Sequence, residues 1–163
     1  MHIDSMGIIT HDLMARVGAL IMGIVICMAV FAPQLSSFSP HDFTGKVFLP
    51  PGQDHPLGTD SMGQDIWARL LYGARTSLLV AGAVALFSTA LSVLAGASAA
   101  LAGGLYGRAV MRVVDAMICL PAIVVMILVA AYLRPTLPLL IILISAFSWP
   151  GGARIIRSQV LSL

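Results

Sequence analysis

The chain has 163 residues, of which 59% are hydrophobic and only 10% are charged, and its mean hydropathy is +0.98. A soluble domain carries about 25% charged residues, so these charges are too few to cover a water-facing surface, and the same composition excludes a disordered chain. A net charge of +2 is too small to indicate nucleic-acid binding. We therefore expect an all-α, polytopic membrane protein in which lipid solvates part of the surface.

Four weakly charged stretches are candidates for membrane spans, since a helix needs about 20 apolar residues to cross the hydrocarbon core. In chain order, we predict spans over residues 13–33, 77–102, 116–133 and 136–153. Pro121 should kink the third span. The first stretch contains Val30-Phe31-Ala32, which would also suit signal-peptide cleavage. However, Asp4 and Asp12 precede it, and the apolar run is long for a signal peptide, which favours an uncleaved anchor helix.

The segment between the first two predicted spans begins as a loop, because Pro33 to Pro56 is rich in Pro, Ser and Gly. We predict a short helix over residues 61–75 that lies on the membrane surface. Ser61 and Gln64 have capping-box spacing, and Asp65 and Arg69 are four residues apart, which suits a helical ion pair.

The basic residues favour a cytoplasmic N-terminus, by a narrow margin. The ends and the 103–115 loop hold five: Arg16, Arg108, Arg112, Arg154 and Arg157. The opposite side holds four: Lys46, Arg69, Arg75 and Arg134. The opposite side also carries several Asp residues, so we expect both ends to be cytoplasmic and residues 33–75 to lie outside.

Small residues recur every four positions in the second predicted span, at Ser88, Ser92, Gly96 and Ala100. Such a stripe lets helix backbones approach closely in lipid, so we interpret it as a packing surface, with a pathway-lining face as the alternative. At the start of the third predicted span, Arg112 and Asp115 have the spacing of a mutual ion pair; a role in gating or partner binding is the alternative.

Signatures of catalysis are absent from the sequence. It contains no phosphate-binding G-x-x-x-x-G-K-[ST] loop, no Glu and hence no H-E-x-x-H, and no G-x-S-x-G. The histidines (His2, His11, His41 and His55) lack the spacing of metal ligands. Cys27 and Cys119 lie in apolar runs and are expected to be small buried or lipid-facing residues. We predict no enzyme activity, no cofactor bound by this chain and no metal site.

Three segments resemble one family, the inner-membrane permease subunits of ATP-binding-cassette importers for dipeptides, oligopeptides and nickel, and most closely the C-type permease. They are residues 55–78 (HPLGTDSMGQDIWARLLYGARTSL), 111–115 (MRVVD) with Pro121, and 148–160 (SWPGGARIIRSQV). The charged residues that carry the resemblance are Asp60, Asp65, Arg69, Arg75, Arg112 and Asp115. Gln64 and Ala68 depart from the family pattern, which usually has Arg and Ser there.

The resemblance implies a division into three parts: an anchor helix and external loop over 1–60, the surface helix over 61–75, and part of a permease domain over 76–163. It implies a plasma-membrane subunit that helps to form a peptide pathway with a second permease, two cytoplasmic ATPases that bind ATP, and an external solute-binding protein. Arg154 and Arg157 would approach a coupling helix, before which the chain is expected to be truncated. A nickel permease and a non-transporting membrane scaffold are the alternative interpretations.

Overall fold

The computed structural model describes residues 13–134 and 136–162, so the expectations for His2 and His11 lie outside the described residues. Within those ranges the chain forms helices joined by loops and turns, with two isolated β-bridges. The helices are α1 Leu13–Val30, α2 Ala32–Leu35, α3 Ile66–Ala102, α4 Gly104–Cys119, α5 Ala122–Tyr132 and α6 Leu137–Val160. The predicted all-α fold is confirmed.

Three of the described helices, α1, α3 and α6, are long and apolar enough to cross a membrane. The pair α4 and α5 also has the required length and composition, which gives up to four spans if the bent pair counts as one. The protein is therefore a multi-pass membrane protein. α1 ends at Val30, before the predicted limit at residue 33, and Pro33 lies instead in the first turn of α2, where its missing N–H costs no helical hydrogen bond.

The surface helix predicted over 61–75 does not exist as a separate element. α3 begins at Ile66 and continues without a break through the predicted second span. Gly63 has φ +70°, in the left-handed region, so the Ser61–Gln64 segment forms a turn before the helix and not its first turn. No proline interrupts residues 66–102. Its 37 residues are about 55 Å long, more than the roughly 30 Å hydrocarbon core.

The third predicted span, 116–133, is not one helix. α4 ends at Cys119, α5 begins at Ala122, and the two axes differ by 73°. Pro121 has no N–H to donate and restricts Leu120 to an extended conformation with ψ 128°. The expected kink is therefore a complete break. α5 alone would measure about 16 Å, too short to cross the bilayer.

α6 starts one residue after the predicted limit and ends at Val160, seven residues beyond the predicted end at 153. Thr136 caps it by accepting a hydrogen bond from the N–H of Leu139. Pro150 lies inside this helix, followed by Gly151 and Gly152. Proline removes one backbone hydrogen bond and glycine is a poor helix former, so this is the weakest part of α6.

The chain divides into two compact units, Met1–Leu79 and Val80–Leu163, and few of the described residues in either unit are buried. The buried apolar side chains are Ala29, Ala32, Ala68 and Leu71 in the first unit, and Ala99, Val114 and Ala153 in the second. Large apolar side chains such as Leu20, Leu86 and Ile123 are more than half exposed. Such surfaces suit lipid or neighbouring helices, which agrees with the expectation from composition.

Candidate functional site

In the first unit, Asp60 organises the turn that precedes α3. Its Oδ1 accepts hydrogen bonds from the N–H groups of Met62 (2.8 Å) and Gln64 (2.9 Å), and Oδ2 forms an ion pair with Arg69. The hydrogen bond from the Gln64 N–H is the main reason that the pKa of Asp60 lies below its ordinary value of 3.8. The Met62 N–H and Arg69 lower this pKa further, while burial opposes the shift.

Asp65, and not Ser61, caps α3. Its side chain is buried, and Oδ1 accepts a hydrogen bond from the N–H of Ala68 at 2.6 Å. The other carboxylate oxygen lies 2.6 Å from Nδ1 of His55, whose ring contacts Phe38 with centroids 4.9 Å apart. The carboxylate is thus directed into the loop, away from Arg69.

The predicted Asp65–Arg69 ion pair is therefore wrong. Arg69 pairs with Asp60 and also donates to Oε1 of Gln64 at 2.9 Å. Gln64 departs from the family pattern, and here it accepts a hydrogen bond from a cation, which an arginine could not do. Four residues of the first family segment thus form two pairs, Asp60 with Arg69 and His55 with Asp65, that hold the loop against the start of α3.

Arg75, the fourth charged residue of the first family segment, has no hydrogen bond or ion pair within the described part of the chain. It lines an apolar groove between the end of α1 and α3. The other lining residues are Ile26, Ala29, Val30, Leu78 and Leu79.

In the second unit, two of the four residues in the small-residue stripe contact another helix. Ser92 is buried and its Oγ donates a hydrogen bond to the backbone oxygen of Trp149 at 2.8 Å. A Cβ added to Gly96 would lie 2.5 Å from the backbone oxygen of Ala153. Ser92 and Gly96 therefore form a close contact between α3 and α6, in keeping with the packing interpretation.

The other two stripe residues do not make this contact. Among the described residues, Ser88 hydrogen-bonds only to the Ala85 oxygen of its own helix, and Ala100 is half-buried. Instead, Ala99 is fully buried, and a Cβ added to Gly107 of α4 would lie 2.4 Å from the Ala99 oxygen. The spacing Ser92, Gly96, Ala99 (i, i+4, i+7) would have indicated this face, whereas a strict period of four drifts around the helix.

The charges of the second unit also pair differently from the prediction. Asp115 of α4 forms an ion pair with Arg154 of α6, with Oδ1 and Nη2 2.5 Å apart. The structure shows no ion pair between Asp115 and Arg112, so the expectation of a local pair is wrong. Arg157, one turn after Arg154, is half-buried, and its Nε has no hydrogen-bond partner in the described residues. Arg154 thus joins two helices, while Arg157 lies along α6 beside Gly96.

The described residues contain no group of three or more His, Cys, Asp or Glu side chains that could hold a metal ion. His55 is paired with Asp65, and Cys27 and Cys119 are free and exposed. The small-residue contacts and the ion pairs described above hold helices together.

No family model matches the chain. It is, however, 36% identical over 154 residues to the dipeptide transport system permease protein DppC of Bacillus subtilis, covering 92% of this chain and 47% of that protein. The resemblance to peptide-importer permeases is confirmed. The oligopeptide transport system permease protein OppC of Bacillus subtilis is 34% identical over 164 residues, which cover 98% of this chain and 53% of OppC.

A third permease relative is the di/tripeptide transport system permease protein DppC of Pseudomonas aeruginosa, 32% identical over 159 residues that cover 93% of this chain and 52% of that protein. The similarity thus extends over nearly all of this chain, well beyond the three segments that first indicated it. The chain spans about half the length of the curated relatives that it matches.

Proposed function

We propose that the chain is part of a permease subunit of an ATP-driven importer and helps to form the membrane pathway for dipeptides or oligopeptides. The observation that carries this proposal is the identity of 34–36% to dipeptide and oligopeptide permeases over 92–98% of the chain. The arrangement of the helices supports the proposal, because α3 contacts α6 and α4 through small residues and one ion pair joins α4 to α6. Such contacts hold the helices in a defined arrangement, so that partner proteins can move them together as a rigid body.

The proposed partners are a second permease, two cytoplasmic ATPases and an external solute-binding protein. ATP hydrolysis would take place in the ATPases, and this chain would bind no ATP. The C-terminal half of α6, with Arg154 and Arg157, would lead toward the element that contacts an ATPase. Because Arg154 is paired with Asp115, movement of α6 would be passed to α4.

We further propose that residues before α1 and after α6 face the cytoplasm and that the loop between α1 and α3 faces outward. The measurement uses single cysteines at Ser37 and Ser158, both exposed, in a background with Cys27→Ser and Cys119→Ser. A membrane-impermeant maleimide added to intact cells should label Ser37→Cys alone. Labelling of Ser158→Cys alone would reverse the orientation.

The transport proposal is tested by uptake in cells that carry the whole importer, with and without the full permease gene that contains this sequence. Loss of the gene should abolish uptake of labelled dialanine or tetraalanine, and its return on a plasmid should restore that uptake. Loss of ⁶³Ni²⁺ uptake with unchanged peptide uptake would establish the nickel alternative. Unchanged uptake of both solutes would favour the scaffold.

A further inference from the structure

The groove beside Arg75 combines an apolar wall with a cation that has no hydrogen bond or ion pair among the described residues. On α1, the lining residues Ile26, Ala29 and Val30 have i, i+3, i+4 spacing; on α3, Arg75, Leu78 and Leu79 have the same spacing. Each set therefore lies on one face of its helix, and the two faces form opposite walls. Among the described lining residues, Arg75 alone is ionisable.

Both helices place this groove near a membrane boundary. Arg75 is the last charged residue before an uncharged stretch of α3 that continues through Ala102. The α1 residues of the groove lie in its last two turns, directly before the chain turns at Phe31. Arginine at the end of a span reaches the headgroup layer, which would place the guanidinium at headgroup level and the apolar walls toward the acyl chains.

We propose that this groove binds one anionic phospholipid, such as phosphatidylglycerol, with the phosphate on Arg75 and an acyl chain between α1 and α3. Charge complementarity selects the occupant, because a guanidinium donates paired hydrogen bonds to phosphate oxygens. In the described residues Arg75 has no protein carboxylate to satisfy it. A zwitterionic lipid offers the same phosphate but adds a cationic amine, so it should bind more weakly.

Native mass spectrometry of the detergent-purified chain tests the headgroup contact, with added phosphatidylglycerol or phosphatidylcholine as probes. The chain should retain phosphatidylglycerol preferentially, and Arg75→Gln should weaken that binding about fivefold, the effect of one basic residue at a membrane surface. Arg134→Gln is the matched control, since Arg134 is exposed and lies outside the groove; it should leave binding unchanged. Equal retention of both lipids, or equal effects of the two substitutions, would overturn the proposal.

The acyl-chain contact needs its own pair of variants. Leu79 and Leu86 are both highly exposed on α3, but only Leu79 lines the groove. Leu79→Ser should reduce phosphatidylglycerol retention, and Leu86→Ser should not. Glycerol 3-phosphate, which carries phosphate without acyl chains, should fail to compete. Competition by glycerol 3-phosphate at the lipid's own concentration would identify a plain phosphate site. In membranes that carry the whole importer, cross-linking of position 79 to a second permease in place of lipid would identify a protein interface. Either result contradicts the proposal.

Discussion

The hydroxyl of Ser92 donates a hydrogen bond to the backbone oxygen of Trp149, across 57 residues of sequence and a distance of 2.8 Å. Trp149 directly precedes Pro150, where α6 lacks one backbone donor, and Gly152, where an added Cβ would lie 2.5 Å from the Ser92 Oγ. The carbonyl that loses its helical donor to Pro150 is that of Ala146, four residues earlier, so the Ser92 hydrogen bond adds a contact beside Pro150 and does not replace the missing bond. α3 and α6 are thus in close contact at Ser92 of α3.

Gly96→Ala should destabilise the protein, because its new methyl group would lie 2.5 Å from the Ala153 oxygen. Overpacking against backbone costs about 1–3 kcal/mol. Gly82→Ala is the matched control in the same helix, since no atom lies within 4 Å of its added Cβ. Thermal unfolding in detergent, followed by size-exclusion chromatography, should show a lower midpoint for Gly96→Ala alone. Equal midpoints would mean that α3 and α6 are not in close contact.

Ser92→Ala should cost less, about 0.6 kcal/mol, which is typical of an interhelical hydrogen bond in a membrane protein. Ser88→Ala should be neutral, because the hydrogen bond of Ser88 in the described part of the chain lies within its own helix. The same unfolding measurement distinguishes the two serines. An effect of Ser88→Ala as large as that of Ser92→Ala would restore the original four-residue stripe.

The sequence was sufficient to predict the class of fold, because a long apolar run indicates a membrane-spanning helix by its length alone, without knowledge of its tertiary contacts. It was also sufficient to predict close packing at Gly96. It could not predict which neighbours of Gly96 share that contact, since Ala99 and Ala100 are equally small and differ only in their angle around α3. That angle matters only once the positions of α4 and α6 are known.

The charge pairs were harder to predict for a related reason. Local spacing suggested Asp65 with Arg69 and Arg112 with Asp115, since i,i+3 and i,i+4 neighbours share a helix face. In the structure, Asp65 pairs with His55, ten residues earlier, and Asp115 pairs with Arg154, 39 residues later. Exposed local pairs stabilise helices by only a few tenths of a kcal/mol, so a tertiary partner or a helix cap readily replaces them.

The Asp115–Arg154 pair should show a small coupling energy in a double-mutant cycle with Asp115→Asn and Arg154→Gln. Both side chains are more than half exposed, and exposed pairs typically contribute about 0.2–1 kcal/mol. Added salt should reduce the coupling. A parallel cycle with Asp115→Asn and Arg112→Gln should give none. Coupling to Arg112 that equals or exceeds coupling to Arg154 would favour the local pair.

Asp65→Ala should destabilise the first unit by about 1–3 kcal/mol, because it removes the cap of α3 and leaves His55 without its carboxylate partner. Ser61→Ala should be close to neutral, since Ser61 is exposed and lies in the turn before the helix. Limited proteolysis of the loop at increasing temperature compares the two variants. Greater sensitivity of Ser61→Ala would mean that the helix starts at the predicted capping box.

The stability of the loop should also depend on pH through Asp60, whose folded-state pKa is lowered from 3.8. A carboxyl group with a lowered pKa stabilises the folded state fully above its unfolded pKa, and that stabilisation is lost as pH falls through the folded pKa. The loop should therefore loosen below about pH 4, and Asp60→Asn should remove this part of the pH dependence.

The first cause of the lowered pKa of Asp60 is the Gln64 N–H, ahead of Arg69, so Arg69→Gln should raise the pKa of Asp60 only part of the way. NMR titration of ¹³C-labelled aspartate, with Asp60→Asn identifying the signal, measures both values. A pKa that returns fully to 3.8 in Arg69→Gln would show that the ion pair, and not the backbone of the turn, holds the carboxylate ionised.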